Sequence, residues 1–291
     1  MSQGLTTEIV SAEEMGLSPD VDALVIEDDA PVDNLISEKQ QRLLTEPLYS
    51  NEDVLGDRLF LAAANVGVFY AIKQPPIVPD VFVSLDVEVP QDWTQKRNRT
   101  YLVWEFGKPP DIVIEIVSNR EGNELGRKLQ DYARMGVGYY AVFDPLHQLG
   151  STDLYLFENR ANRYQALAES WFEEMGLGLT LWDGVFEGKR DSCNVSEAFH
   201  RTPHGNRWLR WHDATGAVIA TGAELASQER QRADTESQRA DIERQRADTE
   251  SQRADIERQR ADTERQRAEA AEARAIQLAD QLRSLGIDPN L

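Results

Sequence analysis

From Glu224 onward the chain repeats every seven residues, as RQRADTE, SQRADIE, RQRADTE, SQRADIE, RQRADTE and RQRAEAA. Self-similarity of this kind marks an array built from one helical unit. Arg230 to Glu264 has almost no apolar residue, whereas Val66 to Phe157 is dense with them, so the repeat is a tail set apart from a folded body. Placing Ala233, Ala240, Ala247, Ala254, Ala261 and Ala268 at one core position puts Glu236, Glu243, Glu250 and Glu257 at the other. A coiled-coil seam wants apolar residues at both. Only Ala268, Ala271, Ala275, Leu278, Leu282 and Leu285 meet that demand, so self-association is expected at the C-terminal end. The alternative is a solitary solvated helix, in which Arg232 with Glu236, Arg239 with Glu243 and Arg230 with Asp234 pair four residues apart. Both readings stay open, a coiled coil or a single long helix.

The chain is long enough, and at 41% apolar content overall rich enough, to bury a core. No run approaches the roughly 20 apolar residues that span a bilayer, and the N-terminus has no basic or apolar leader. These features predict a cytoplasmic protein with no membrane partner. One cysteine, Cys193, fits a reducing compartment. The net charge is −20, of which the body to residue 223 carries −16 and the tail −4. Such a body is not drawn to nucleic acid by charge alone. Locally the balance reverses: Thr94 to Arg134 holds eight basic residues, Lys96, Arg97, Arg99, Lys108, Arg120, Arg127, Lys128 and Arg134, against six acids. The count alone favours ordinary solvated surface over a backbone-contacting rim.

Residues 1 to 36 form an acidic arm with one apolar run, Ala23 to Ile26. Ser37 reads as the cap of a helix reaching about Leu48. Val66 to Ile72, Val81 to Val87, Ile112 to Val117 and Tyr139 to Phe143 read as strands. Leu125, Leu129, Tyr132 and Met135 recur at helical spacing within Asn123 to Met135, with Gly136 as the C-terminal cap. Two strands flanking a helix imply a crossover unit, and thus an α/β fold with a mixed sheet covered by helices. Leu154 to Phe157 and Tyr164 to Leu167 suggest a hairpin, and Trp-rich pieces complete a domain over residues 37 to 223. The heptad helix occupies 224 to 291.

Two carboxylates interrupt runs that otherwise look buried, Asp80 in VPDVFVSL and Glu115 in PPDIVIEIVSN. Such acids are costly without a compensating cation or donor. Strand alternation turns Ile112, Ile114 and Ile116 to one face and Asp111, Val113, Glu115 and Val117 to the other. Asp111 lies roughly 13 Å along the strand from Glu115, too far to share a metal with it. Asp80 on a neighbouring strand reaches the same ion if the register is right. Lys128, thirteen residues beyond Glu115, falls on the helix face of Leu125 and Tyr132 and points to the sheet. Two acids and a lysine suit phosphodiester hydrolysis: the acids hold Mg2+ or Mn2+, the ion acidifies a water, and the lysine orients it or offsets developing charge. Pro-Asp turn residues and a salt-bridged lysine explain the same spacing equally well.

At these residues the chain resembles the "putative restriction endonuclease" family of bacteria, a diverged branch of the PD-(D/E)XK nucleases. The matching pieces include PPIVPDVFVSLDV, YLVWEFGKPPDIVIEIVSNREGNELGRKLQDYARMGVGYYAVFDP and WLRWHDATGAVIATGAE. The resemblance implies a restriction-endonuclease-like core, with the motif aspartate at Asp80 and the motif glutamate at Glu115. The superfamily's lysine usually lies two residues after the glutamate, where this chain has Val117; it looks to have migrated to Lys128 on the following helix. The resemblance further implies a backbone carbonyl of Ile116 on the metal, Tyr132 lining the pocket, and Glu38 as an added acid with Glu46 its competitor. DNA is the implied substrate, and an inactive nuclease fold serving as a binding or scaffolding module is the alternative. A zinc site drawn from Cys193, His200, His204 and His212 is less well founded, because Pro203 breaks any helix that would align the histidines.

Overall fold

The computed structural model describes residues 34–51, 53–72, 74–119, 122–187 and 207–286. The Ala23 to Ile26 run, Arg120, Cys193, His200 and His204 lie outside these residues. The chain divides into two units, Met1–Glu224 and Leu225–Leu291.

In the first unit, α1 (Leu35–Ser50) is capped by Asn34, whose side chain accepts from the N–H of Ile36 at 2.9 Å and of Ser37 at 3.0 Å. The cap is therefore three residues earlier than the sequence suggested, and Ser37 is buried within the helix. β1 (Phe60–Ala64), β2 (Val68–Phe69), β3 (Val81–Leu85), β4 (Tyr101–Leu102), the short α2 (Val103–Phe106) and β5 (Ile112–Ile116) come next. A π-helical turn, Glu124–Lys128, runs into α3 (Leu129–Met135), succeeded by β6 (Tyr139–Phe143), β7 (Leu154–Arg160) and β8 (Arg163–Ala166). The six-stranded sheet has the order β1-β3-β5-β6-β7-β8 and is antiparallel except for β5 with β6. The parallel pair is the one joined through α3, the crossover that the sequence implied. A second sheet joins β9 (Trp171–Phe172), β10 (Leu177–Asp183) and β11 (Arg207–His212). The result is a mixed sheet flanked by helices.

Residues 66–72 do not form the long strand expected. Only Val68 and Phe69 are strand there, paired with β4, and the edge of the main sheet is the alanine-rich β1. Alanine is a weak strand former. Here its small side chain lets Tyr49 approach the edge, the hydroxyl accepting from Ala62 N at 2.9 Å.

Alternation along the strands separates two packing faces. Val81, Val83, Ile112, Ile114 and Ile116 pack with Leu44 and Leu48 of α1 and with Leu209 and Trp211 of β11. Phe82, Val113 and Val117 pack on the other face with Tyr132, Met135 and Tyr140. Side chains reinforce the α1 to β11 contact: Gln40 Nε2 donates to Leu209 O at 2.8 Å, Leu209 N to Gln40 Oε1 at 3.0 Å, and Trp211 Nε1 to Leu44 O at 2.7 Å.

The second unit is helical. α4 runs over Gly222–Ser284, 63 residues with none buried, and ends before Gly286 at φ 78°. The pairs expected from Arg230, Arg232 and Arg239 are not present among the described residues. The ion pairs along α4 run instead from Arg244 to Asp241, Arg258 to Asp255 and Arg265 to Asp262 and Glu269 at 3.7 to 3.9 Å, and from Arg283 to Asp280 at 3.1 Å. No helix among the described residues is long and apolar enough to cross a membrane.

Candidate active site

The site sits where the pairing of β3 with β5 runs out. Val81 opposes Ile114 in that antiparallel pair, so Asp80, one residue earlier, comes opposite Glu115, one residue later. Directly opposed residues project from the same face. Glu115 shares its face with Val113 and Val117, beneath the turn into α3, and is 1% exposed.

Two side chains close on it, one from that turn and one from α3. Lys128 Nζ donates to Glu115 Oε2 at 2.8 Å, and the Tyr132 hydroxyl donates to Oε1 at 2.7 Å. Both reach one carboxylate because they stand four residues apart on one helix face; the segment before α3 is π-helical, with Lys128 N bonded to Asn123 O five residues back. A π turn takes an extra residue per turn and so rotates the helix beyond it about its axis. It also carries Leu125 away from the sheet: Leu125 is 38% exposed, against the expectation that it shares the inward face of Lys128 and Tyr132. Asn123 starts the turn at φ 57°, its side chain accepting from Arg127 N at 3.3 Å.

Asp80 is held from three directions. Its Oδ2 accepts from Ile116 N at 2.6 Å, its Oδ1 from Gln41 Nε2 at 3.4 Å, and its backbone O from Asn65 N at 3.2 Å. Asn65 Nδ2 in turn donates to Gln41 Oε1 at 3.0 Å. Asp80 thus substitutes for the ladder partner that Ile116 lacks beyond the end of β3.

Burial pushes the Glu115 carboxyl up to about 8; Lys128 opposes this, while the nearby Asp80 charge adds to it. Burial alone would lower the Lys128 ammonium, but Glu115, then Asp80 and Glu124, outweigh it and hold it above its ordinary value. Burial, the largest influence on Glu115, favours its neutral form, while Lys128 and Asp80 act on it in opposite directions. Glu124 lies in the same turn as Lys128: it is buried, folds back over Gly122, and its Oε2 has no hydrogen-bond partner among the described residues.

The structure brings Asp80, Glu115, Lys128 and Tyr132 together with the backbone of Ile116. It does not bring Glu38. That residue lies on the exposed side of α1, bonded to Arg42 Nε at 2.5 Å, and Arg42 also pairs with Glu187. Glu46 is engaged elsewhere, by Ser50 Oγ at 2.5 Å and Gly222 N at 2.9 Å. From α1, Gln41 reaches the site, a polar residue one turn before Leu44 and two before Leu48 on the buried stripe. That displacement of a polar group onto an apolar face was its only signal in the sequence. Asn65 and Glu124 carried none that set them apart.

Asp111 is at the far end of β5, bonded to Lys108 Nζ at 2.7 Å and to Leu85 N at 2.7 Å. The basic segment is largely matched by its own acids, Arg97 with Glu105, and Arg127 and Arg134 with Asp131. Among the described residues no group of three or more His, Cys, Asp or Glu is arranged to hold a metal. Of the zinc candidates only His212 is described, with Nδ1 2.9 Å from Asp213 O.

A family profile described as "Uma2: Putative restriction endonuclease" matches residues 25–175, which contain every residue of this cluster. No curated protein matches the chain. Among solved structures, a protein titled a putative nuclease belonging to DUF820, from Anabaena variabilis ATCC 29413, is 16% identical with a TM-score of 0.35, covering 48% of this chain and 71% of its own.

Proposed function

The chain belongs to the Uma2 family, described as putative restriction endonucleases, and on that premise we propose that it is a metal-dependent endonuclease hydrolysing DNA phosphodiester bonds at Asp80, Glu115 and Lys128. The observation that carries the reading is the placement of a buried Glu115 opposite Asp80 on one sheet face, with Lys128 bonded to Glu115.

The donor set fits a hard divalent cation. Asp80 and Glu115 offer carboxylate oxygens, and burial drives the rise of the Glu115 carboxyl, a cost that a bound cation would offset. Asp80 and Glu115 would hold the ion. Ile116 would add its carbonyl: Val117 N–H goes to Phe143 on β6, so the neighbouring peptide groups of Ile116 turn toward Asp80. Bound Mg2+ or Mn2+ supplies an acidified water and a positive charge for the phosphoryl oxygens.

The protein's own groups do the positioning. Tyr132 fixes one oxygen of Glu115 and thereby its rotamer, while Gln41 and the Ile116 N–H fix Asp80. Lys128, 30% exposed, remains charged between the acids, able to orient the attacking water and offset charge on the pentacovalent phosphorus. The N-terminal arm to residue 36, the nuclease-like domain over 37–223 and the helix over 224–291 are the proposed division of the chain.

One observation favours a second reading, an inactive nuclease fold kept as a binding module. The body carries −16 and its central basic segment is tied up by its own acids. Incubation of the purified protein with plasmid and Mn2+ or Mg2+, beside Asp80→Ala, Glu115→Ala and Lys128→Ala, separates the two. Cutting that all three variants lose supports the enzyme; variants that cut like the parent overturn this site. Absence of both cutting and calorimetric Mn2+ binding supports the inactive module.

A further inference from the structure

Every residue of α4 is accessible, so its sequence registers can be compared as candidate contact faces. The alanine register places Glu243 and its equivalents in the seam. A second register, two residues on, has different chemistry. Its first core position, a, holds Thr235, Ile242, Thr249, Ile256 and Thr263, all β-branched; its second, d, holds Gln238, Gln245, Gln252, Gln259 and Gln266.

The structure prepares these side chains for a seam. The hydroxyls of Thr235, Thr249 and Thr263 turn back onto the carbonyls of Gln231, Gln245 and Gln259 at 2.7 to 2.8 Å, leaving their methyls to face outward. Ile242 and Ile256 stand about half exposed on the same stripe. A glutamine both donates and accepts, so the d position is complementary to itself.

The flanks decide the orientation. Position g holds Asp234, Asp241, Asp248, Asp255 and Asp262, and position e holds Arg239, Arg246, Arg253, Arg260 and Arg267. In a parallel pair each g residue meets the e residue of the partner five positions on, so Asp234 faces Arg239, Asp241 faces Arg246, and so on through Asp262 and Arg267. An antiparallel pair would set Asp against Asp and Arg against Arg. These five arginines make no ion pair within α4 among the described residues, whose pairs use Arg244, Arg258, Arg265 and Arg283 instead.

We propose that α4 pairs with α4 of a second copy of this chain in a parallel, in-register, two-stranded coiled coil, with the Thr/Ile and Gln stripe as its seam and the Asp to Arg ladder as its orientation code. β-branched residues at a are those that favour two strands. The inference rests on the helix alone and is independent of the nuclease reading.

Sedimentation equilibrium of the full chain at micromolar concentration is expected to give twice the 32.9 kDa chain mass. A chain mass throughout would overturn the proposal. Reversing one flank, with Arg246→Asp, Arg253→Asp and Arg260→Asp, should return the mass to one chain at low salt. Mixing that variant with Asp241→Arg, Asp248→Arg and Asp255→Arg should restore the pair. Orientation is read in a Cys193→Ser background carrying Thr235→Cys or Thr263→Cys, positions about 42 Å apart along the helix. Each is expected to form a disulfide with its own copy under mild oxidation. A disulfide forming only when the two variants are mixed would show antiparallel strands and refute the parallel register.

Discussion

A phenol hydroxyl donated to a buried carboxylate costs little to make and much to lose, and Tyr132 makes that contact with Glu115. Its proposed part is positioning, since it touches neither substrate nor ion. Tyr132→Phe should therefore leave the fold intact and lower cleavage, or Mn2+ affinity measured calorimetrically, by roughly 10- to 100-fold. An unchanged Mn2+ affinity together with unchanged cleavage would remove Tyr132 from the site. At this scale the sequence was legible where charge intruded on hydrocarbon: Asp80 and Glu115 were visible because an acid in a buried strand demands an explanation, and Lys128 because it falls on an inward helical face. Gln41 was not, because a neutral amide brings no charge to mark it, and yet it is Gln41, not the expected added acid Glu38, that reaches Asp80 from α1. Glu124 stayed hidden because its burial depends on a π turn, and i to i+5 bonding has no signature in apolar periodicity.

Elements joined across great sequence distance make the stability of α1 depend on β11. Gln40 spends both ends of its amide on the backbone of Leu209. Gln40→Ala strands a buried donor and a buried acceptor, and should cost about 2 to 4 kcal/mol in urea unfolding. A loss below about 1 kcal/mol would mean that water repairs the gap. The start of α4 is fixed by a second long-range contact, in which Glu224 accepts from Arg210 at 2.6 and 2.9 Å and from Thr221 N at 2.8 Å. Burial opposes ionisation of Glu224, but Arg210 and Thr221 outweigh it and hold the carboxyl below its usual value. A depressed carboxylate contributes stability above its unfolded pKa and loses it as pH falls through the folded one. Glu224→Gln should therefore be less stable than the parent at neutral pH and converge with it in acid, as read by melting temperature against pH. Strand and helix assignments held where β-branched or aromatic runs were long, as at Ile112–Ile116 and Tyr139–Phe143. They failed at β1, whose alanines are set by what packs on them and not by propensity.

The whole chain combines a body rich in long-range pairing with a helix that buries nothing. A chain ended after Gln228 keeps the Glu224 contact, and its thermal transition should match that of the full protein while far-ultraviolet helicity falls sharply. A lowered transition would show that the body draws stability from the tail. The low apolar density of the repeat is what set it apart in the sequence, because a segment so poor in hydrocarbon contributes little to a core. The seam that the helix offers was not readable there, since the alanines repeat most regularly while the β-branched stripe and its charged flanks lie two residues away. The contact between Gln40 and Leu209 also spans 169 residues. On a ribosome adding roughly 5 to 20 residues per second, α1 emerges about 10 to 30 seconds before the strand that covers it. Through that interval Leu44 and Leu48 have no finished surface to meet, so the first of the described helices to be made is among the last to be locked, and the nascent chain exposes that apolar stripe to chaperones until translation has passed Trp211.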